Sequence, residues 1–212
     1  MIILGSHNSM SYLNPSSLWM KLFRFCAKCQ NKTIEEQYEL GVRCFDIRLW
    51  YDDNNNFILR HGIISFEYNK TIEDILSFID SKKDCYVRIL LESTCFNKGN
   101  LFNKIELFKY FCKNIESKYP NIKFLGGIDK STWTYIFRFN NEDVPEICER
   151  YSSTTNIFDG KPQNRKWYDF IDDIFPWLYA KIWNKRIYKK LEEEKFNGIL
   201  LLDFIEKIKE DI

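Results

Sequence analysis

The 212-residue sequence lacks any long uninterrupted hydrophobic run, although 45% of its residues are apolar and 17% are aromatic. Charged and polar residues interrupt every apolar stretch before it reaches the roughly 20 residues that a membrane-spanning helix needs. The amino-terminal sequence MIILGSHNS has no basic segment followed by a long apolar stretch, so no secretory signal peptide is predicted. We expect one globular domain over residues 1–212, which is either cytoplasmic and at most peripherally bound to a membrane or a mature form whose leader was removed.

An excess of charge of one sign is also absent, because 31 Lys and Arg residues nearly balance 30 Asp and Glu residues. Both signs are interspersed along the chain, so the sequence has no basic stripe of the kind that typifies nucleic-acid-binding proteins. The composition therefore argues against DNA or RNA as the main partner.

The seven cysteines do not form an even set, and several lie in apolar runs such as RCFDIRL and DCYVRILL. An odd number of thiols in core positions is typical of a reducing compartment and not of a disulfide framework. Cys26 and Cys29 have C-x-x-C spacing, but no second such pair follows to complete a zinc ribbon. We expect both thiols on one helix, with no metal and no cofactor.

Short β-branched runs alternate with longer segments of helical period, which predicts β/α units around a mostly parallel sheet. Eight candidate strands favour an α/β fold of the small, irregular (β/α)8 TIM-like barrel type over an open sheet. The candidate strands are Met1–Leu4, Cys44–Leu49, Phe57–Arg60, Cys85–Leu91, Ile122–Leu125, Trp133–Phe139, Thr155–Phe158 and Gly198–Phe204. The candidate helices are Ser17–Gln30, Ile34–Leu40, Thr71–Ile79, Leu101–Lys118, Val144–Tyr151 and Tyr168–Lys195.

Capping signals delimit several of these elements. Thr33-Ile-Glu-Glu36 has the spacing of a capping box, and Gly41 follows the last periodic residue as a helix-terminating glycine does. Thr71 and Asn100 are candidate amino-terminal caps. The residues 52–56 form a polar turn that joins the second and third strands.

Histidine is scarce, and both histidines of the chain lie at the carboxyl end of a predicted strand: His7 in GSHNS and His61 in RHG. In a barrel, side chains at these ends converge on one mouth, where active sites are found. Histidine has an unperturbed pKa near neutrality, so two histidines on opposite sides of a phosphorus can act as general base and general acid.

A third strand supplies Asp46 and Arg48, which a period of two places on one face with Cys44, while Phe45 and Ile47 face the surrounding apolar layer. A buried carboxylate and a buried guanidinium are costly unless they serve each other or a ligand. The planar fork of arginine suits a phosphate and needs no metal to neutralise negative charge. On these residues alone, a phosphoryl-transfer site and a pair of turn histidines are equally tenable.

Taken in order, these motifs resemble the X domain of phosphatidylinositol-specific phospholipases C, in its bacterial branch. The first 65 residues carry most of the resemblance, in LGSHNS, in CQ followed by IEEQ and GVRCFDIR, and in HG. Val87–Glu92, Tyr135–Arg138 and Leu200–Asp203 resemble later strands of the family more loosely.

The resemblance implies that His7 deprotonates a neighbouring hydroxyl of the substrate and that His61 protonates the departing alkoxide. It implies that Asp203 holds His7 in its productive tautomer. Arg48 would stabilise the pentavalent phosphorane, and Asp46 would bridge Arg48 and His61. The products would be a cyclic phosphodiester and diacylglycerol or another alcohol. Eukaryotic members use calcium, bound by acidic residues where this chain has Arg48, so the resemblance implies a metal-independent reaction.

The resemblance also suggests residues that bind substrate. Asn8 stands where many bacterial relatives carry an aspartate, and its amide can hydrogen-bond Arg48 or the phosphate. Glu92 and Arg138 match positions that line the polyol pocket of relatives, with a structural salt bridge at a strand end as the alternative. Asp159 is a further candidate. No position matches the aromatic residue that stacks under inositol, so the sequence does not establish inositol as the headgroup.

Aromatic residues cluster between residues 167 and 186, and some of them have helical spacing. One interpretation is a stripe that faces the core. The other is an interfacial helix beside the mouth that dips into lipid and meets headgroups through basic residues. The stripe comprises Phe175, Tyr179, Ile182 and Trp183, and the basic residues are Lys181, Lys185 and Arg186.

A phospholipase C acting on phosphatidylinositol or a related phospholipid is the preferred interpretation. The main rival among enzymes is a glycerophosphodiester phosphodiesterase, which has a His-Arg-Gly start, a Glu-x-Asp metal pair and a His-Asp motif. The corresponding residues here are His7-Asn8, Asp46-Ile-Arg48 and His61-Gly62, which fit that pattern poorly. Two further alternatives remain, namely cleavage of a soluble phosphodiester and a non-catalytic module that binds a phosphate or headgroup.

Overall fold

The structure, a computed structural model, describes residues 1–52, 56–67, 69, 71–92, 98–126, 134–139, 145–149 and 174–208. The strands are β1 Ile2–Ser6, β2 Cys44–Tyr51, β3 Phe57–His61, β4 Ile64–Ser65, β5 Tyr86–Glu92, β6 Lys123–Leu125, β7 Thr134–Ile136, β8 Glu146–Glu149 and β9 Gly198–Leu202. The helices are α1 Leu18–Leu22, α2 Arg24–Ala27, α3 Ile34–Glu39, α4 Ile72–Asp80, α5 Lys98–Lys118 and α6 Pro176–Glu193, followed by a 3₁₀ helix at Ile205–Ile208.

Six parallel strands form the continuous part of the sheet, in the spatial order β8-β9-β1-β2-β5-β6. Two antiparallel extensions complete the nine-stranded sheet: β3 pairs with the end of β2 and with β4, and β7 pairs with the end of β5. Helices between parallel strands allow both faces of such a sheet to be buried. The predicted α/β architecture is confirmed.

Alternating residues of β2 contact two different apolar clusters. Phe45, Ile47 and Leu49 belong to the large core, whereas Cys44 belongs to a small cluster that includes Leu125, Ile199 and Leu201. This alternation matches the two faces predicted for the strand. Asp46 and Arg48 therefore share the face of Cys44, and they lie in the polar layer above the small cluster.

Gly5 allows β1 to run close to its neighbours at the level of this small cluster. A β-carbon at Gly5 would lie 2.5 Å from a methyl carbon of Leu201 and 3.1 Å from the β-carbon of Cys44. Any side chain at this position would therefore push β1 away from β2 and β9, between which it is hydrogen-bonded. This close pairing fixes the residues that directly follow β1.

Three of the predicted capping features are present and one is wrong. Thr33 and Glu36 form the capping box of α3, and Gly41 terminates that helix with a φ of 92°. Thr71 forms a second capping box with Asp74 at the start of α4. Asn100 is not a cap, because α5 begins at Lys98.

The helix predicted over residues 17–30 is divided into α1 and α2, and the chain leaves α2 after Ala27. Both Cys29 and Gln30 donate their backbone N–H to the hydroxyl of Ser11, at 2.9 and 3.0 Å. These bonds draw the chain out of the helix and towards the end of β1. The prediction that Cys26 and Cys29 share one helix is therefore wrong.

The helix predicted over residues 144–151 is also wrong, because residues 146–149 form β8. Apolar residues there have helical spacing, but β8 pairs in parallel with β9 from Gly198 to Leu201. Pairing with the edge of β9 outweighs the local pattern, as tertiary context often does. The predicted strand at residues 155–158 lies outside the described residues, as do Trp133 and Tyr168.

Candidate active site

His7 and Asp203 meet where β1 and β9 end. The two strands are paired in parallel, and the backbone N–H of His7 donates to the carbonyl of Leu202 at 2.9 Å. Each side chain thus leaves its strand at the same level. His7 Nδ1 lies 2.7 Å from Asp203 Oδ1, and both residues are only 2% exposed.

Arg48 determines which nitrogen of His7 carries the proton. A guanidinium can only donate hydrogen bonds, and Arg48 Nη2 lies 2.5 Å from His7 Nε2. Nε2 therefore accepts, and the proton of the neutral ring lies on Nδ1, where it is donated to Asp203. A histidine in this tautomer presents a lone pair at Nε2, which a general base requires.

Two carboxylates hold the guanidinium of Arg48 in place. Its Nε donates to Asp46 Oδ2 and its Nη1 donates to Glu92 Oε2, each at 2.9 Å. Asp46 Oδ2 also accepts the backbone N–H of Asn8 at 3.0 Å. A second buried arginine, Arg88, places its Nε 3.7 Å from Asp46 Oδ1.

Sequence reasoning missed Arg88, although a signal for it exists. In YVRILLE, Arg88 lies four residues before Glu92 and so shares its face of β5. It is also the direct partner of Asp46 in the register of β2 and β5.

His61 reaches this cluster on an antiparallel strand. Leu49 pairs with Leu59, so the chain runs back along β2 and brings His61 down to the level of Ile47. The predicted position at the site is right, but the predicted reason, that parallel strands converge at their carboxyl ends, is wrong for this residue. The rings of His7 and His61 lie 5.7 Å apart at an angle of 84°.

The imidazole of His61 is held at Nδ1, which lies 3.0 Å from the carbonyl oxygen of Ala27 and 3.8 Å from the Sγ of Cys29. Nδ1–H donates to this carbonyl, which leaves Nε2 for a ligand. Burial, opposed by the charge of Glu92 and assisted by Arg48 and His7, lowers the pKa of His61 to about 4. In the absence of a ligand, His61 is therefore neutral at pH 7.

Glu92 joins Arg48 to the turn that follows His61. Its second oxygen, Oε1, accepts the backbone N–H of Gly62 at 2.8 Å. Burial raises the pKa of Glu92, but the charge of Arg48, together with His61 and Gly62, outweighs it and keeps the pKa below its usual range. Glu92, predicted to bind substrate, thus makes the connection between Arg48 and the His61 turn that the resemblance assigned to Asp46.

Asn8 directly follows His7 and adopts a positive φ of 44°, which asparagine tolerates better than most residues. Its side chain is buried, and Nδ2 has no hydrogen-bond partner among the described residues. A buried donor without a partner is unfavourable. Nδ2 is therefore suited to donate to an anion that enters the site.

Gln30 and Asn184, which sequence reasoning did not single out as site residues, hold the backbone of the site. Gln30 Nε2 donates to the carbonyls of His7 and Leu202, at 3.0 and 2.8 Å. Asn184 Nδ2 donates to the carbonyl of Asp203 at 2.6 Å. The CQ motif of the family resemblance includes Gln30 and could have indicated its role. Asn184 lies in a helix whose sequence pattern does not indicate a role at the site.

Arg138, which was predicted to bind substrate, is not part of this buried cluster. Arg138 is exposed in the segment that follows β7, close to Gly126. Asp159 lies outside the described residues.

The acidic residues of the site do not fit a calcium ion. Calcium takes six to eight oxygen ligands. Asp46 and Glu92 instead direct an oxygen each at the guanidinium of Arg48, which fills the space between them.

An exposed apolar surface lies beside the site, on α1, α2 and the start of α6. Phe25 and Phe175 stack across it with ring centroids 5.7 Å apart. An apolar cavity of about 430 Å³ opens between the two helical segments and is lined in part by Phe204, the neighbour of Asp203. The exposed apolar residues of this surface are Leu18, Trp19, Leu22, Phe23, Phe25, Phe175, Trp177, Leu178 and Ile182.

This surface resolves part of the ambiguity about the late aromatic cluster. Tyr179 is buried in the core, whereas Phe175 and Ile182 are exposed. The start of α6 is therefore not a uniform core-facing stripe. In the described part of the chain, no helix has the length and hydrophobicity needed to cross a membrane.

Solved structures with a similar fold are bacterial phospholipases. The phosphatidylinositol-specific phospholipase C of Listeria monocytogenes is 18% identical, with a TM-score of 0.54 over 98% of this chain and 90% of that chain. A double mutant of the Staphylococcus aureus enzyme is 14% identical, with a TM-score of 0.55 over 95% of this chain and 84% of that chain. No curated protein sequence matches the chain.

Residues 3–117 match the family described as "Phosphatidylinositol-specific phospholipase C, X domain". This match covers more than half of the chain and contains His7, Asp46, Arg48, His61 and Glu92. The described sheet agrees with the fold of the bacterial structures. The chain therefore belongs to the phosphatidylinositol-specific phospholipase C X-domain family, and it is an enzyme of the phospholipase C type, a phosphoric diester lyase.

Proposed function

We propose that this enzyme cleaves phosphatidylinositol or a closely related phospholipid without a metal ion, through a cyclic phosphate. The observation that carries the proposal is the state of His7, which is held by Asp203 at Nδ1 and presents Nε2 to Arg48. A ring held in this way is prepared to accept a proton beside a group that binds phosphate. His61, 5.7 Å away from ring to ring, is available as the acid.

In the first step, the substrate hydroxyl next to the phosphodiester takes the place of Arg48 at His7 Nε2. Its oxygen attacks phosphorus as its proton moves to Nε2, and the carboxylate of Asp203 stabilises the imidazolium that forms. Arg48 and the amide of Asn8 donate to the phosphoryl oxygens, where negative charge increases. His61 then gives a proton to the departing glycerol oxygen, so that diacylglycerol leaves and the cyclic phosphodiester remains.

His61 must gain its proton before it can act. Its pKa of about 4 in the empty site leaves little of the acid form at pH 7. A phosphodiester carries one negative charge, and a negative charge next to an imidazole favours the imidazolium and raises its pKa. Substrate binding therefore converts His61 into the acid, whereas Asp203 keeps His7 as the base.

Metal independence is part of the proposal. The guanidinium of Arg48 supplies the positive charge that a metal ion supplies in other phosphoryl-transfer enzymes. It is fixed by Asp46 and Glu92, so it needs no reorganisation when charge develops on the phosphate.

We further propose that the exposed apolar surface on α1, α2 and α6 docks on a membrane, with the enzyme otherwise in the cytoplasm. Basic residues flank the apolar ones, as expected of a surface that meets anionic headgroups. One of the similar S. aureus structures concerns modulation of that enzyme's membrane binding. The flanking basic residues are Lys21, Arg24, Lys28, Lys181, Lys185 and Arg186.

Phosphorus NMR of the enzyme with phosphatidylinositol in mixed micelles, in excess EDTA, tests the reaction. The signal of a cyclic inositol phosphate should appear with the wild-type enzyme and not with His7→Ala. A signal that appears without EDTA but not in excess EDTA contradicts metal independence. Absence of any product, with turnover of a soluble phosphodiester instead, contradicts the lipid substrate.

A further inference from the structure

Among the described residues, Cys29 is a thiol next to both histidines that the proposed mechanism does not use. It is fully buried, and its backbone ties it to the site: its carbonyl accepts the N–H of Phe204 at 2.6 Å. Ser11 accepts the N–H of Cys29 at 2.9 Å. The thiol is therefore held at the junction of the chain ends that carry His7 and Asp203.

Three side chains with metal-binding atoms converge at this junction. A ring nitrogen of His7, the Sγ of Cys29 and a carboxylate oxygen of Asp203 all lie within 4.8 Å of one another. Zinc binds these atom types at about 2.0 to 2.3 Å and prefers a tetrahedral arrangement. The ligand atoms of such a site lie about 3.5 Å apart. Side-chain rotations that shift these atoms by about 1 Å would therefore bring all three within bonding distance of one zinc ion.

The charge of the buried cluster also suits a divalent cation. Among the described residues in contact there, three buried carboxylates, Asp46, Glu92 and Asp203, face two buried guanidinium groups, Arg48 and Arg88, which leaves a net charge of −1 when the histidines are counted as neutral. Ionisation of Cys29 makes this charge −2. A divalent cation would neutralise it.

We propose that His7, Cys29 and Asp203 form an inhibitory site for Zn²⁺. The thiolate makes the site selective for a thiophilic cation over calcium or magnesium, which prefer oxygen ligands. On binding, the thiol of Cys29 releases its proton to solvent, and water completes the fourth position. The metal is thus an inhibitor of this enzyme and not its cofactor.

Inhibition follows from either mode of binding at His7, and this part rests on the proposed function. A cation on Nε2 takes the place of Arg48 Nη2, which lies 2.5 Å from that nitrogen, and occupies the lone pair that accepts the proton of the substrate. A cation on Nδ1 comes between His7 and its second ligand Asp203, and it leaves the proton of the neutral ring on Nε2, which then can only donate. In both cases His7 no longer acts as a base.

Cobalt(II) in place of zinc tests the binding without reference to activity, because a thiolate–cobalt bond gives an absorption band in the near ultraviolet. The metal-free protein, kept reduced with a phosphine, is titrated as wild type, Cys29→Ser and Cys26→Ser. We expect one cobalt per chain and a thiolate band in the wild type and in Cys26→Ser. In Cys29→Ser the band should be lost and the affinity for zinc should fall about 100-fold.

Cys26→Ser is the matched control, because it removes the other thiol of the same C-x-x-C pair at a half-buried position. His7→Asn provides a second variant, in which the affinity should also fall while the thiolate band weakens. A wild-type protein without the band overturns the proposal. So does a band that survives in Cys29→Ser or disappears in Cys26→Ser, since either result places the metal on other cysteines.

The activity measurement separates this proposal from the proposed function. Zinc in slight excess should abolish cleavage by the wild type, and EDTA should restore it; the residual activity of Cys29→Ser should be insensitive to the same zinc concentration. Zinc that binds with the expected spectrum and leaves cleavage intact overturns the inhibitory role. An enzyme that cleaves no phospholipid when metal-free contradicts the proposed function, and the cobalt spectrum still decides the metal site.

Discussion

Arg48 is the residue on which the other groups of the site depend. Its three nitrogens contact His7, Asp46 and Glu92, so it links the base to both carboxylates and, through Glu92, to the turn of His61. Lysine at this position keeps the charge but not the planar fork. The geometry of the guanidinium therefore matters as much as its charge.

Arg48→Lys should lower kcat by about 100- to 1000-fold, the range seen when a donor to a developing oxyanion is removed. Arg43→Lys is the matched control, because Arg43 contacts Asp84 at the opposite end of β2 and is only partly buried. Steady-state kinetics on micellar substrate measure both. Equal activity of the two variants contradicts the role assigned to Arg48.

Glu92 gives a prediction for the dependence on pH. Its carboxylate raises the pKa of His61, so Glu92→Gln should lower that pKa further. The acid form of His61 is lost as pH rises through its pKa, and the alkaline limb of the kcat profile should therefore move to lower pH. Glu106→Gln, at an exposed position of α5, should leave the profile in place.

At the scale of elements, the site is assembled from the ends of β1, β2, β3, β5 and β9 and from the segment after α2. Two buried glutamines bind the backbone of these segments. Gln30 donates to carbonyls of β9 and of His7, and Gln37 donates to the carbonyls of Ser9 and Lys32. Both tie the helical segments to the strand ends, but only Gln30 contacts His7.

Gln30→Met and Gln37→Met form a matched pair. Each removes a side-chain donor to two backbone carbonyls, although Leu202 keeps the N–H of His7, and should lower the free energy of unfolding by about 1 to 3 kcal/mol. Gln30→Met should also reduce kcat about tenfold or more, because the His7–Asp203 pair loses its alignment. Urea unfolding and kinetics separate the two effects, and an equal loss of kcat in both variants argues against a positioning role for Gln30.

The sequence predicted those elements whose signals are local. The capping box of Thr33 and Glu36 and the terminating Gly41 depend on adjacent residues and were confirmed. The alternation along β2 placed Asp46 and Arg48 correctly, because a strand with one polar position in two has only one way to bury its apolar side. The α/β fold class was predicted from these local signals together with the order of the family motifs along the chain.

Features set by distant contacts were not predictable in this way. β8 forms because it pairs with the edge of β9, and the sequence of residues 144–151 contains no information about that distant partner. The end of α2 depends on Ser11, which accepts hydrogen bonds from Cys29 and Gln30 across 18 and 19 residues of sequence. The antiparallel course of β3, by contrast, follows from the short polar turn at residues 52–56, because parallel strands need a longer connection.

At the scale of the whole molecule, the candidate active site and the exposed apolar surface are adjacent. Ala27, at the end of α2, accepts the hydrogen bond of His61, and α2 carries Phe25 on the exposed surface. A membrane that contacts this surface would therefore lie beside the mouth of the site. Docking on the membrane would then place the mouth of the site next to the lipid substrate, without any conformational change.

Trp177→Ala should weaken binding to vesicles of phosphatidylinositol and phosphatidylcholine by about 10- to 150-fold, because a half-exposed indole that enters lipid contributes about 1.5 to 3 kcal/mol. Turnover of a short-chain monomeric substrate should not change. Tyr110→Ala, which removes an exposed aromatic residue of α5, is the control in vesicle sedimentation. An unchanged affinity in Trp177→Ala contradicts the docking surface.

The central claim is that His7 acts as the base and His61 as the acid in one displacement at phosphorus. A phosphodiester of inositol with a nitrophenol leaving group tests this division most directly, because nitrophenolate departs without protonation. With this substrate, His61→Ala should recover most of the wild-type rate, whereas His7→Ala should stay inactive. Equal rescue of both variants, or of neither, would contradict the assigned roles.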